Sequence, residues 1–166
     1  NISIICCPNG MTGRNGDNMK KLYIAYGSNL NLSQMASRCP SANVYAKGTL
    51  NNWELVYRGS KTNAHATIIR KQNSTIPALI WEIEKSDEVQ LDIYEGYPHY
   101  YFKKNIMVYI NGKRRKAMVY IMNENQAPGR PSKQYINTIR QGYIDNDMDL
   151  SIFEKSLELN LHEMHS

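Results

Sequence analysis

The chain has 166 residues, of which 42% are apolar and 21% charged. That balance suits one self-folding core and excludes wholesale disorder, because a single domain typically spans about 100 to 200 residues. Twenty basic residues stand against fifteen acidic ones, a net charge of +5 spread along the chain, so charge alone singles out no polyanion partner. No apolar run approaches the roughly 18 residues a membrane-spanning helix needs, and three cysteines without a CxxC pair suit neither a disulfide framework nor a zinc site. A soluble, cytoplasmic protein with reduced thiols is expected. Twelve tyrosines against two phenylalanines and two tryptophans put a hydroxyl on most rings, as polar pockets and half-exposed sheets require.

Residues 1–18 (NISIICCPNGMTGRNGDN) show no apolar period and end in a Gly/Asn-rich stretch. They are expected to be a leader or a vector-derived segment outside the fold, leaving 19–166 as one domain. Lys21 to Tyr26 reads as a short strand ending at Gly27, where Ser28 and Asn29 supply turn chemistry. Asn31 with Gln34 predicts a capping box for a helix that Pro40 stops near Arg38 and Cys39. From Val44 to Arg70 the pattern is that of strands, with Trp53, Leu55 and Tyr57 alternating and Ala66 to Ile69 as a buried run; Ala78 to Ile83 reads as a separate one. Ser86 is expected to cap a short helix with Asp87 and Glu88 in its first turn, running to about Tyr94 and meeting Glu95 and Gly96 at its far end. Two β-rich runs joined at Asn111-Gly112 predict a hairpin over residues 100–122. Beyond the Ala127 to Pro131 loop, Ser132 predicts a helix carrying Tyr135, Ile136 and Ile139, with Gly142 just past its end, and Ser151 with Glu154 predicts a last helix. About six strands in mostly antiparallel order with interspersed helices give an α+β fold whose mixed sheet curls toward a small barrel with peripheral helices.

Two stretches could carry chemistry. In Tyr26-Gly27-Ser28-Asn29-Leu30 a strand end opens into a helix, and such a loop turns backbone N–H groups toward a carboxylate or a developing oxyanion; the same residues also make an ordinary turn. In Leu91-Asp92-Ile93-Tyr94-Glu95-Gly96-Tyr97-Pro98 a carboxylate sits at a helix C-terminus among aromatic rings. Both the negative helix end and an apolar wall disfavour its ionised form, so it should titrate above the ordinary carboxylate range and make a better general base. Taken alone, such a carboxylate is also compatible with solvated surface.

These residues, with Met35, Arg38-Cys39-Pro40, Ala42, Trp53-Glu54-Leu55, Ala66-Thr67-Ile68, Tyr120-Ile121-Met122 and the Pro131-Ser132 and Gln134-Tyr135 pairs, resemble the gamma-glutamylcyclotransferase superfamily in order and spacing from about residue 21 to about residue 160. The resemblance implies a small mixed β-barrel and an enzyme that releases 5-oxoproline from gamma-glutamyl compounds, with no cofactor or metal. By the family's pattern the loop Tyr26, Gly27, Ser28, Asn29 and Leu30 holds the gamma-glutamyl group, Glu95 is the general acid/base, and Tyr101 and Tyr135 line the same cavity. It further implies a homodimer acting on a small-molecule gamma-glutamyl substrate, with neither nucleic acid nor membrane as partner. A branch specific for glutathione lacks the intervening asparagine, so Asn29 sets this chain apart from it. Two other readings stay open at this point: a ligand-binding member of the same fold without catalysis, and a basic, tyrosine-rich module that stacks single-stranded nucleic acid. The isolated His65 and His99, the His162/His165 pair and the basic run Lys113 to Lys116 read as side chains without a site role.

Overall fold

The computed structural model describes residues 19–166, so the expected leader, with Cys6 and Cys7, lies outside the described residues. The first apolar run forms β1 (Lys21–Ala25) and ends in a 3-10 turn over Ser28–Leu30. Helix α1 (Leu32–Arg38) follows, with the Asn31 side chain accepting the Gln34 N–H at 2.9 Å. Two long strands, β2 (Asn43–Gly59) and β3 (Ala64–Ile83), precede α2 (Lys85–Glu95). The hairpin β4 (Tyr101–Ile110) and β5 (Lys113–Met122) turns at Asn111 and Gly112, both in the left-handed region, as the Asn-Gly pair dictates. Helices α3 (Lys133–Asp145) and α4 (Leu150–Met164) complete the chain. No helix among the described residues is long and apolar enough to cross a membrane.

The strands close into a barrel in the order β1-β3-β2-β4-β5. All neighbours are antiparallel except β1 and β5, whose parallel pairing at Tyr23 and Met118 shuts the barrel and makes the sheet mixed. Ile24, Leu50, Ile68, Ile80, Val108 and Val119 are buried in its core, which continues through Ile139, Tyr143 and Phe153 into α3 and α4.

Four expectations need correction. There are five strands, because Ala66 to Ile69 and Ala78 to Ile83 belong to one strand: pairing with β2 breaks after Arg70 and resumes at Thr75, across an irregularity where Asn52 and Asn73 take positive φ. The polar stretch between the two runs is mostly exposed, so it carries no alternation to read. The cap of α2 is Glu84, whose N–H is accepted by the Asp87 carboxylate at 2.9 Å, rather than Ser86, which lies inside the helix. The cap of α4 is Asp149, which accepts from Ser151. Gly142 lies inside α3, not beyond it. A Cβ there would come within 2.7 Å of the Leu30 and Asn31 backbone, so glycine lets α3 rest directly on the 3-10 turn.

Candidate active site

The strand end, the far end of α2 and the first turn of α3 converge on a cavity of about 120 Å³. Its walls include Tyr26, Gly27, Ser28, Asn29, Glu95, Tyr101 and Tyr135, all singled out in the sequence. Leu30 is not among them: it is fully buried under α3, where Asn146 donates to its carbonyl at 2.7 Å, so it anchors the turn from behind. Reading sequence missed Tyr23, His65, Tyr94, Tyr100 and Tyr120, which also line the cavity. Of these, Tyr120 sits in the Tyr-Ile-Met stretch already noted, on β5 opposite Lys103.

The turn itself is rigidly held. Asn31 donates through Nδ2 to the Thr138 carbonyl at 3.1 Å, and the Leu32 N–H donates to Asp145 at 3.1 Å. Within the turn the Leu30 and Asn31 N–H groups are taken by the carbonyls of Gly27 and Ser28. Those of Ser28 and Asn29 have no protein acceptor among the described residues. Both ends of the Asn29 side chain are held, Nδ2 donating to Tyr23 Oη at 2.9 Å and Oδ1 accepting from Arg38, while its backbone carbonyl accepts from Trp81 at 3.0 Å. Asn29 keeps its backbone N–H and a second amide N–H for a ligand. A Cβ on Gly27 would come within 3.2 Å of Ala66 and narrow the cavity.

Among the described residues, Glu95 is the one carboxylate on the cavity wall. Gly96, in the left-handed region behind it, ends α2 and turns the chain away. The Glu95 carboxyl makes neither a hydrogen bond nor an ion pair with any described residue. Burial pushes its pKa up to about 7, against the opposing pull of the Arg38 guanidinium. A carboxyl with that pKa changes charge near neutral pH.

The tyrosines around it divide by where their protons go. Tyr26 donates to the Tyr120 carbonyl at 2.6 Å, Tyr101 to the Ala66 carbonyl at 2.6 Å, and Tyr120 to Asp92 at 2.5 Å. Each of these hydroxyls can offer the cavity only a lone pair. Tyr135 accepts the Ala66 N–H at 2.9 Å, and Tyr23 accepts from Asn29, which leaves both protons unclaimed among the described residues. Burial pushes Tyr23, Tyr26 and Tyr120 upward, helped by the nearby Glu95 for Tyr23 and Tyr26 and by Asp92 for Tyr120, so these hydroxyls stay protonated. One cavity thus sets lone pairs and a carboxylate, suited to an ammonium, beside O–H and N–H donors, suited to an oxyanion.

Comparison with known proteins agrees. Residues 23–138 match the family described as gamma-glutamyl cyclotransferase, AIG2-like. The human gamma-glutamylcyclotransferase is 30% identical over 149 residues, covering 81% of this chain and 76% of the human one. The bovine protein of the same name is 31% identical over 164 residues, covering 89% and 84%. A solved gamma-glutamyl cyclotransferase superposes with a TM-score of 0.74 at 28% identity, covering 83% of this chain and 86% of that one. Matched in sequence over most of its length and in fold by the same group of proteins, the chain belongs to the gamma-glutamyl cyclotransferase family and is an enzyme of that kind.

Proposed function

We propose that the protein releases 5-oxoproline from a gamma-glutamyl amino acid or amine, with Glu95 as the general acid/base and the Gly27 to Asn29 turn as the oxyanion holder. The observation that carries this reading is the unpaired Glu95 carboxyl on the cavity wall with its pKa near 7.

The substrate's α-ammonium must lose a proton before its nitrogen can attack the side-chain carbonyl. Glu95 takes that proton, and the lone pairs of Tyr101 and Tyr120 face the ammonium before it is lost. Attack forms the bond between the α-nitrogen and the γ-carbon, and the carbonyl oxygen becomes an oxyanion. The free N–H groups of Ser28 and Asn29 and the Tyr135 hydroxyl are its donors; single donors of this sort contribute about 3 to 4 kcal/mol in other acyl-transfer enzymes. Collapse breaks the bond between the γ-carbon and the leaving nitrogen. Two protons leave the α-nitrogen and two arrive on the leaving amine, so Glu95 ends in the state in which it began. Because nucleophile and electrophile share one molecule, the enzyme holds the folded conformer and moves protons, and one carboxylate suffices.

The test is a panel of gamma-glutamyl amino acids and amines incubated with the protein, read as 5-oxoproline. The wild type should turn over at least one, and Glu95→Gln, which keeps size but not basicity, should lower kcat by about 10²- to 10⁴-fold. Silence across the panel, or wild-type turnover in Glu95→Gln, would refute the assignment. Activity should rise with pH through about 7, since Glu95 must begin ionised.

A further inference from the structure

The proposed reaction needs two parts from different elements to stay in register: the turn that receives the oxyanion and the helix that carries the base. One side chain touches both. Arg38, at the end of α1, donates through Nη1 to Ser28 Oγ at 3.3 Å and to the Asn29 side-chain oxygen. Its guanidinium also lies 3.4 Å from the ring centre of Tyr94, the residue before Glu95 on α2. Ser28 Oγ and Tyr94 Oη meet at 3.4 Å, closing a triangle. Arg38 is half-buried and pairs with no carboxylate among the described residues. A guanidinium left without an acid partner, and committed instead to the two halves of a site, is not explained by surface charge pairing.

We propose that Arg38 is a positioning residue that locks the oxyanion turn against the base-bearing end of α2, so that Glu95 and the Ser28 and Asn29 N–H groups keep the spacing cyclisation requires. This rests on the proposed reaction. A planar fork with several donors can bond the turn edge-on while its flat face stacks on the ring, a geometry that the compact ammonium of a lysine does not reproduce. The charge has a second effect. Of the groups facing Glu95, the tyrosines of β1, the turn, β4, β5 and α3 stay protonated, because burial and Glu95 itself push them up. His65 on β3 is pushed down by burial and is neutral at neutral pH. Asp92, on the same helix, is neutralised by Lys103 at 2.9 Å. Arg38 is therefore the permanent charge that holds Glu95 toward its ionised form.

Arg38→Met should lower kcat about 10- to 100-fold with KM changed much less, since misplacing catalytic groups by about 1 Å costs on that order. The acid limb of the kcat/KM profile should move to higher pH. Arg38→Lys should return the limb toward its wild-type position while kcat stays low, because charge is restored and the fork is not. If either arginine variant fails to fold, Tyr94→Leu removes the stacking partner from the other side and should lower kcat with little change in KM. Wild-type kcat in Arg38→Met or in Tyr94→Leu, or full recovery of kcat in Arg38→Lys, would overturn the proposal. Titration of the Glu95 carboxyl by ¹³C NMR needs no substrate: it should shift upward in Arg38→Met and stay near wild type in Arg38→Lys. An unmoved titration in a folded Arg38→Met would overturn the proposal even if no gamma-glutamyl compound proved to be a substrate, which separates its failure from that of the reaction.

Discussion

Helix α2 carries two glutamates seven residues apart, Glu88 buried and Glu95 partly buried on the cavity wall, and they have opposite chemistry. Near its start, Glu88 is 5% exposed and accepts from Lys21 and Lys103 at 2.9 to 3.0 Å. Burial pushes its pKa up, but the two lysines outweigh it and hold the carboxyl below its ordinary value. Near the end of the helix, Glu95 has no hydrogen-bonding partner, feels Arg38 only at a distance, and burial prevails, raising it to about 7. Burial is common to both; partners decide the sign. The helix end reinforces the difference, because acids are favoured in the first turn and disfavoured in the last. One end of α2 thus holds a carboxyl tied down by two lysines, and the other a carboxyl that changes charge near neutral pH.

The largest effect that would break this contrast is on the structural acid. Glu88→Gln leaves Lys103 and Lys21 without their shared partner, and should destabilise the protein by roughly 2 to 3 kcal/mol at pH 7, below the 3 to 5 kcal/mol seen for fully buried pairs because both lysines keep some solvent. Since the folded carboxyl titrates below its unfolded value, that stability is present above about pH 4.5 and lost as pH falls. Urea unfolding at pH 7 and at pH 3 should show the variant and the wild type converging in acid. Equal stability at pH 7 would mean that the lysine contacts are surface ornament.

Glu95→Gln should move stability the other way. A carboxyl whose folded pKa is raised holds a proton in the native state that the unfolded chain releases between about pH 4.5 and 7, so the wild type loses stability as pH rises through that window. The amide removes this cost, and the variant should be more stable than wild type by on the order of 1 to 2 kcal/mol at pH 8, with no difference at pH 4. A variant that is inactive yet more stable would mark Glu95 as a site residue kept at the expense of the fold. Loss of stability at pH 8 would instead place it among the structural acids with Glu88.

The sequence made much of this legible, and the parts it hid have a common cause. The Asn111-Gly112 hairpin, the Asn31 and Ser132 caps and the position of Glu95 at a helix end each depend on a few adjacent residues, so local chemistry suffices to find them. The role of Gly142 depends instead on a contact with Leu30 more than a hundred residues away. The continuity of β3 across its polar middle depends on pairing with β2 to either side, and the Arg38 triangle on the meeting of α1, the turn and α2. Leu30 shows the limit most clearly: it belongs to the motif by spacing, yet its side chain faces the core and only its neighbours face the cavity.

The smallest effect tests whether partners also decide what the cavity tyrosines do. Tyr101 and Tyr135 hold the two polar groups of the same residue, Ala66, but with opposite polarity: one donates to its carbonyl, the other accepts from its N–H. In the proposed reaction Tyr135 offers its proton to an oxygen that gains charge only in the transition state, so Tyr135→Phe should lower kcat by about 5- to 30-fold, or 1 to 2 kcal/mol, with KM nearly unchanged. Tyr101 has only a lone pair, which favours the substrate ammonium that must be lost before attack. Tyr101→Phe should therefore raise KM by about fivefold, near 1 kcal/mol, and leave kcat within about twofold of wild type. Steady-state kinetics on the two variants with one gamma-glutamyl substrate separates the cases. Matching losses in kcat would show that the hydroxyls act alike, and that the direction of their hydrogen bonds to Ala66 does not carry into the reaction.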